Sequence, residues 1–283
     1  MVLAFGLCLL ASEILLPADV GTVDQLIWAE KDLIILDNAN VSLWSRDQAG
    51  KTTLAYHREG SGPGELKRLS RIGFFDGQFY LCDLVGRKIV VLSRDFSHVR
   101  DIMVPVLPRD VFKLEKDLFF VYPDKKTMVH RMDEEYEATL SFGSMIGQEQ
   151  LFGFEAGRLL THDGKLIFIH HFMPGIEFYE PDGTLSKRVN LPGESEKPLV
   201  SWTPTEQFKF TKRIKDVTIK DSKLLILMHL GAEDAYEIYA YQFNTGKFTD
   251  RVRVPSIKFD GSGGSFEVLE TETSYALKAY QLP

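Results

Sequence analysis

Short apolar runs separated by polar turns extend along nearly the whole chain, and none repeats at a helical period. The stretch from Gly60 to Leu92 shows the plan at its clearest. A glycine- and proline-rich loop leads into apolar runs at 72–75, 79–83 and 88–92, with Asp76-Gly77 between the first two. An Asp-Gly pair between β-rich runs predicts a tight hairpin, because both residues accept positive φ.

Read this way, the chain divides into sets of four strands. The first set covers 23–28, 33–37, 41–45 and 53–57, and the second covers 72–75, 79–83, 88–92 and 98–104. The third covers 111–114, 118–122, 128–132 and 138–142, and the fourth 158–161, 166–170, 176–179 and 185–190. A fifth covers 215–219, 224–229, 236–243 and 247–254. A sixth holds only three strands, at 256–260, 265–270 and 274–282. The second strands start near Leu33, Phe79, Leu118, Leu166, Leu224 and Phe266, at spacings of 46, 39, 48, 58 and 42 residues. That is the period of four-stranded propeller blades. Their sequences (LIIL, FYLC, LFFV, LIFI, LLILM) are almost wholly apolar, as a strand covered on both faces by neighbouring blades requires. The predicted fold is all-β: a six-bladed β-propeller over residues 13–283. A strand near residues 13–16, which has no partner nearby in sequence, completes the three-stranded last blade and removes its exposed edge.

Gly60–Leu66 reads GSGPGEL, and the blade that follows has a second strand ending in Asp83 and a third starting after Arg87 (CDLVGRKIVVL). In this the chain resembles six-bladed β-propellers of the NHL-repeat-like superfamily, most closely a bacterial, often exported group with GxGPGE between its first two blades. The resemblance covers residues 19–104 at motif level and implies fold more firmly than activity, since related propellers include binding modules, sensors, lactonases and lyases.

Composition narrows the function classes. The 283 residues are 44% hydrophobic and 26% charged, ample for a globular core. Net charge is −7 and basic residues alternate with acids, which argues against nucleic acid or an anionic membrane as partner. Cys8 and Cys82, the two cysteines, read as unpaired thiols without zinc-type spacing. Residues 1–12 (MVLAFGLCLLAS) form a signal-like apolar segment, too short to cross a bilayer and with no preceding Lys or Arg. The expectation is an exported, periplasmic or cell-surface protein without a transmembrane segment.

Candidate chemistry gathers where second strands end and one blade crosses to the next, around the mouth of the central channel. Asp37, Asn38, Asp83, Tyr122, His170, His171 and His229 belong there by position, with Glu65 and Trp202 from inter-blade loops. Asp37 and Asp83 suit turn caps, and Glu65 suits a tie to backbone amides in a tight crossing. Residues 192–212, the longest insertion, carry Trp202, Phe208 and Phe210 among polar residues, a composition that suits a binding edge. The expected function is that of a non-catalytic ligand- or protein-binding or sensing module without cofactor. It would take a small molecule, peptide or partner protein on the channel-mouth face. The alternative is a metal-dependent hydrolase or lyase in which His170, His171 and His229 hold zinc, or acidic and amide residues hold calcium. No GxSxG elbow occurs, and the Gly60–Gly64 loop lacks the Lys-Ser/Thr of a phosphate loop.

Overall fold

A computed structural model describes residues 14–124, 126–133, 135–146, 156–194, 197–202, 208–210, 212–231, 235–254, 257–259, 265–270 and 275–279. The signal-like segment 1–12 lies outside them. Every regular element among the described residues is a β-strand. β1 (Ile14–Leu15) stands apart. The first blade is β2 (Gln25–Ala29), β3 (Asp32–Asp37), β4 (Ser42–Arg46) and β5 (Thr52–His57), and the second is β6 (Leu69–Phe75), β7 (Gln78–Asp83), β8 (Lys88–Ser93) and β9 (His98–Met103). The third is β10 (Asp110–Leu114), β11 (Asp117–Asp124), β12 (Thr127–Met132) and β13 (Ala138–Phe142). The fourth is β14 (Gly157–His162), β15 (Lys165–His170), β16 (Gly175–Tyr179) and β17 (Leu185–Asn190). A hairpin, β18 (Val200–Trp202) with β19 (Phe208–Phe210), precedes the fifth blade, β20 (Arg213–Lys220), β21 (Lys223–His229), β22 (Tyr236–Gln242) and β23 (Lys247–Val254). Last come β24 (Ile257–Phe259), β25 (Ser265–Glu270) and β26 (Tyr275–Ala279).

Each blade is an antiparallel meander, and the sixth is completed as the orphan strand requires. β1 pairs antiparallel with β26, Ile14 opposite Leu277 and Leu15 opposite Ala276. Leu16 then donates its N–H to the Tyr275 carbonyl at 2.9 Å. Five blades are thus continuous in sequence, and the sixth four-stranded sheet, β1-β26-β25-β24, joins the two ends of the chain. The innermost strands touch in a ring, β2 to β6, β10, β14, β20, β24 and back to β2.

The core is divided accordingly. Ile34 and Leu36 of β3 pack with Leu69, Ile72, Phe79 and Leu81 of the second blade. Leu33 and Ile35, on the other face of β3, pack with Ile14, Leu16 and Leu277 of the closing blade. Similar clusters fill the interfaces between blades two and three, three and four, four and five, and five and six. Alternate residues of each second strand therefore enter different cores, which is why those strands are apolar throughout. A tight hairpin joins the first and second strands of the second blade, with Asp76 at φ 49° and Gly77 at φ 71°.

The insertion at 192–212 departs from its expected loop form. Val200 pairs with Phe210 and Trp202 with Phe208, so the aromatic-polar alternation there is a strand signal. Leu199 and Val200 are buried, and Val200 packs on Phe172.

Candidate functional site

The residues expected at the channel mouth fall into two groups, those held by backbone and those near the axis. Asp37, completely buried at the end of β3, accepts from the N–H groups of Gly21 and Thr22 at 2.9 and 3.0 Å and from the Asn40 amide side chain at 2.9 Å. Asp83 does the same at the end of β7. It accepts from Lys67 and Arg68 N–H, each at 3.1 Å, and from Gly86 N–H at 3.0 Å. Each carboxylate ties an incoming inter-blade crossing to the next turn, so backbone donors occupy its oxygens. Asn38 donates its backbone N–H to Asp24 at 2.9 Å, and its own side-chain oxygen is buried without a hydrogen bond.

Glu65 is likewise a tie. Its carboxylate accepts from Gly62 N–H at 2.7 Å, and a Cβ on Gly60 would lie 2.1 Å from the same oxygen, so only glycine fits. Gly64, at φ 72°, donates to Asp101, whose carboxylate also meets Lys88 at 2.8 Å and His98 at 2.9 Å. Lys88 Nζ also donates to the Gly62 carbonyl at 2.7 Å, and the Tyr56 hydroxyl donates to the Gly64 carbonyl. GSGPGE is a crossing clamped from both flanking blades.

The Tyr122 ring stacks on buried His130 at 3.9 Å, and its carbonyl oxygen lies 3.0 Å from His130 Nε2. His170 is buried, and its Nδ1 accepts from Phe172 N–H at 3.0 Å. The His229 ring lies 5.0 Å from that of Tyr236. His171 bridges blades through its backbone, donating to the Ala156 carbonyl and accepting from Ile214 N–H, both at 2.8 Å. The His171 residue is only partly covered, yet its Nε2 is sealed and has no hydrogen-bond partner. Burial, followed by the positive charge of Arg71, pushes its pKa well below the usual histidine value, so it is neutral at pH 7. Among the described residues, no three His, Cys, Asp or Glu side chains are grouped to hold a metal ion, so the three candidate histidines do not form such a set. Trp202 lies on β18, its backbone paired with Phe208.

Nearest the axis are residues that reading by motif passed over. Gln25, Arg71, Asp110, Arg158 and Asp216 form one tier of the inner strands, opposite Leu36, Cys82, Val121, Ile169 and Leu227 respectively. Arg71 of blade two reaches across to Asp216 of blade five at 3.2 Å, and Arg158 Nε lies 3.4 Å from Asp110. Gln25 clamps the backbone of Ile72 with both amide atoms, at 2.9 and 3.0 Å. This tier forms one end of an axial cavity of about 260 Å³, whose walls include Ile27, Val111, Leu159, Val217 and Phe259. The sequence signal was a polar residue before an apolar one in five of the six inner strands: Gln25-Leu26, Arg71-Ile72, Asp110-Val111, Arg158-Leu159 and Asp216-Val217.

Further cations crowd the same axis. Lys258 donates to the Asp24 carbonyl at 3.2 Å, and burial lowers its pKa. Lys215 is the extra residue of a β-bulge, since Ile214 and Asp216 oppose the consecutive residues Met228 and Leu227. Among the described residues it makes no hydrogen bond or ion pair. Burial, with Arg213 and Lys258 nearby, brings its pKa down to about 8. Arg71 is an electrostatic neighbour of Arg158, Lys215, Lys258 and His171 alike.

Six four-stranded sheets about a charged axis, the last shared between the chain ends, define a six-bladed propeller. Residues 18–191, more than half of the chain, match the DUF5128 family, described as a 6-bladed beta-propeller, and the chain belongs to that family. No curated protein matches it. Among solved structures, a member of the duf4221 family from Bacteroides vulgatus aligns at TM-score 0.67 and 9% identity, covering 96% of this chain and 97% of that one. A protein of Bacteroides fragilis named as exported aligns at TM-score 0.63 and 15% identity, over 88% and 80% of the two chains. Virginiamycin B lyase from Staphylococcus aureus, with quinupristin, aligns at 0.59 and 11%, over 94% and 87%. At such identities the likeness is one of fold, shared by proteins of different function. No helix among the described residues is long and apolar enough to cross a membrane.

Proposed function

We propose that this propeller is a non-catalytic binding module whose site is the mouth and upper channel at the axis. One observation carries the reading. The axial cavity combines apolar walls with a few converging polar groups, the composition of a small-molecule site. Among the described residues, none near it pairs a nucleophile with a base. Cys82 is fully buried with its thiol pKa pushed well above the usual value, and the acids at the second-strand ends are spent on backbone donors. The apolar segment at 1–12 and the likeness to a protein named as exported support a location outside the cytoplasm.

The test is a thermal-shift screen of the intact chain against small molecules and peptides, with mass spectrometry of each compound afterwards. The expected result is a ligand that raises the melting midpoint and is recovered unchanged. Recovery of cleaved or rearranged product would overturn the reading.

A further inference from the structure

Positive charge converges at the mouth end of the axis, although the chain as a whole is acidic. Arg71, Arg158, Lys215 and Lys258 come from four blades and are spread over nearly 190 residues of sequence. Among the described residues three acids answer them nearby: Asp110, Asp216 and Asp24. The first two are already engaged with Arg158 and Arg71. The excess is cationic.

The donors are also incompletely used. Arg158 Nη1 is buried without a hydrogen-bond partner, as is His171 Nε2, and Arg158 Nε faces Asp110 without hydrogen-bonding geometry. Among the described residues Lys215 has no ion pair, and a bulge in β20 sets it out of the ladder. Buried polar groups in folded proteins are almost always paired, so unmet polar atoms, the Arg158 donors above all, mark a place for a missing partner. A half-buried lysine surrounded mainly by other cations costs stability, and a cost of this kind is retained where a ligand repays it.

We propose that the channel mouth is an oxyanion site, taking a small carboxylate- or phosphate-bearing molecule on Arg71, Arg158, Lys215 and Lys258 with His171 beside them. This rests on the binding-module reading and names its ligand class. Guanidinium and ammonium groups from several blades give planar and point-charge donors to one anionic head, and the apolar cavity beyond the tier accepts a short hydrocarbon body.

The experiment measures melting midpoint and affinity for inorganic phosphate and succinate at constant ionic strength, with chloride as the reference anion. It uses wild type, Lys215→Gln, and Lys220→Gln as an exposed control on the same strand. Wild type is expected to be stabilised by phosphate, by succinate or by both, which separates the two head groups. Lys215→Gln is expected to melt at or above the wild-type midpoint without ligand, yet to bind about ten-fold more weakly or worse, the worth of one charge-assisted hydrogen bond. Lys220→Gln should match wild type. A merely structural lysine would instead lower the midpoint and leave affinity alone. Failure of both anions above chloride, or equal affinity in Lys215→Gln, overturns the oxyanion site. If the anions fail but a neutral or cationic compound from the thermal-shift screen binds, binding stands and only the anion assignment falls; if nothing binds in either assay, both fall.

Discussion

Closure of the ring by β1 makes a prediction with a control built into adjacent residues. Ile14 is 3% exposed and Leu16 6%, both in the cluster with Val20, Val23, Leu26, Leu33, Ile35, Trp44 and Leu277. Leu15, between them, is 68% exposed. Truncating a fully buried Ile or Leu to Ala costs about 2–5 kcal/mol. β1 is a two-residue outermost strand whose surroundings can partly collapse, so the lower end applies, about 2–3 kcal/mol for Ile14→Ala or Leu16→Ala. For a chain of this size that lowers the melting midpoint by roughly 4–12 °C. Leu15→Ala removes a side chain already in water and should change stability by less than about 0.5 kcal/mol. Urea unfolding followed by tryptophan fluorescence reads all three, because Trp28 packs against this cluster and Trp44 belongs to it. Equal, small effects at residues 14, 15 and 16 would refute closure by this strand.

Three further outcomes follow from buried charges. Asp83→Ala strips acceptors from three backbone N–H groups and should cost at least about 2–3 kcal/mol in chemical denaturation, while an exposed aspartate such as Asp182 tolerates the same change. Arg71→Met leaves Asp216 buried without its partner and should cost about 3–5 kcal/mol, of which Arg71→Met/Asp216→Leu recovers most in a double-mutant cycle. Lys215 has a folded pKa of about 8 against an ordinary 10.5, so between those values the unfolded chain binds the extra proton. Stability therefore gains a rising contribution as pH climbs from 8 toward 10.5, and Lys215→Met removes that rise in pH-dependent unfolding. The groups acting on this lysine are Arg213, Lys258, Asp24 and Arg71; of these, only Asp24 favours its charged form.

The architecture was legible because propeller physics writes itself locally. A second strand that feeds two cores must be apolar at every position, so LIIL and LIFI announce buried strands without reference to anything distant. The orphan strand at 14–15 was legible by subtraction from a blade with three members. Asp37, Asp83 and Glu65 were readable as caps because their donors lie in the turn just after them or in the crossing they close. The axial tier was not. Arg71 and Asp216 are 145 residues apart, and only closure of the ring makes them neighbours. Linear charge patterning averages such groups with the acids beside them, as Lys215 is averaged with Asp216, and so reports no basic patch where one forms in space. Residues 200–202 and 208–210 were read as loop because the turn signals around them outweigh two strands of three residues.

The most direct test of the functional account is isothermal titration of the intact protein with the best-stabilising anion, repeated on Lys215→Gln. The account predicts one ligand per chain, recovered chemically unchanged, with affinity falling about ten-fold or more in the variant. Conversion of the ligand during the titration, or binding indifferent to Lys215, would contradict it.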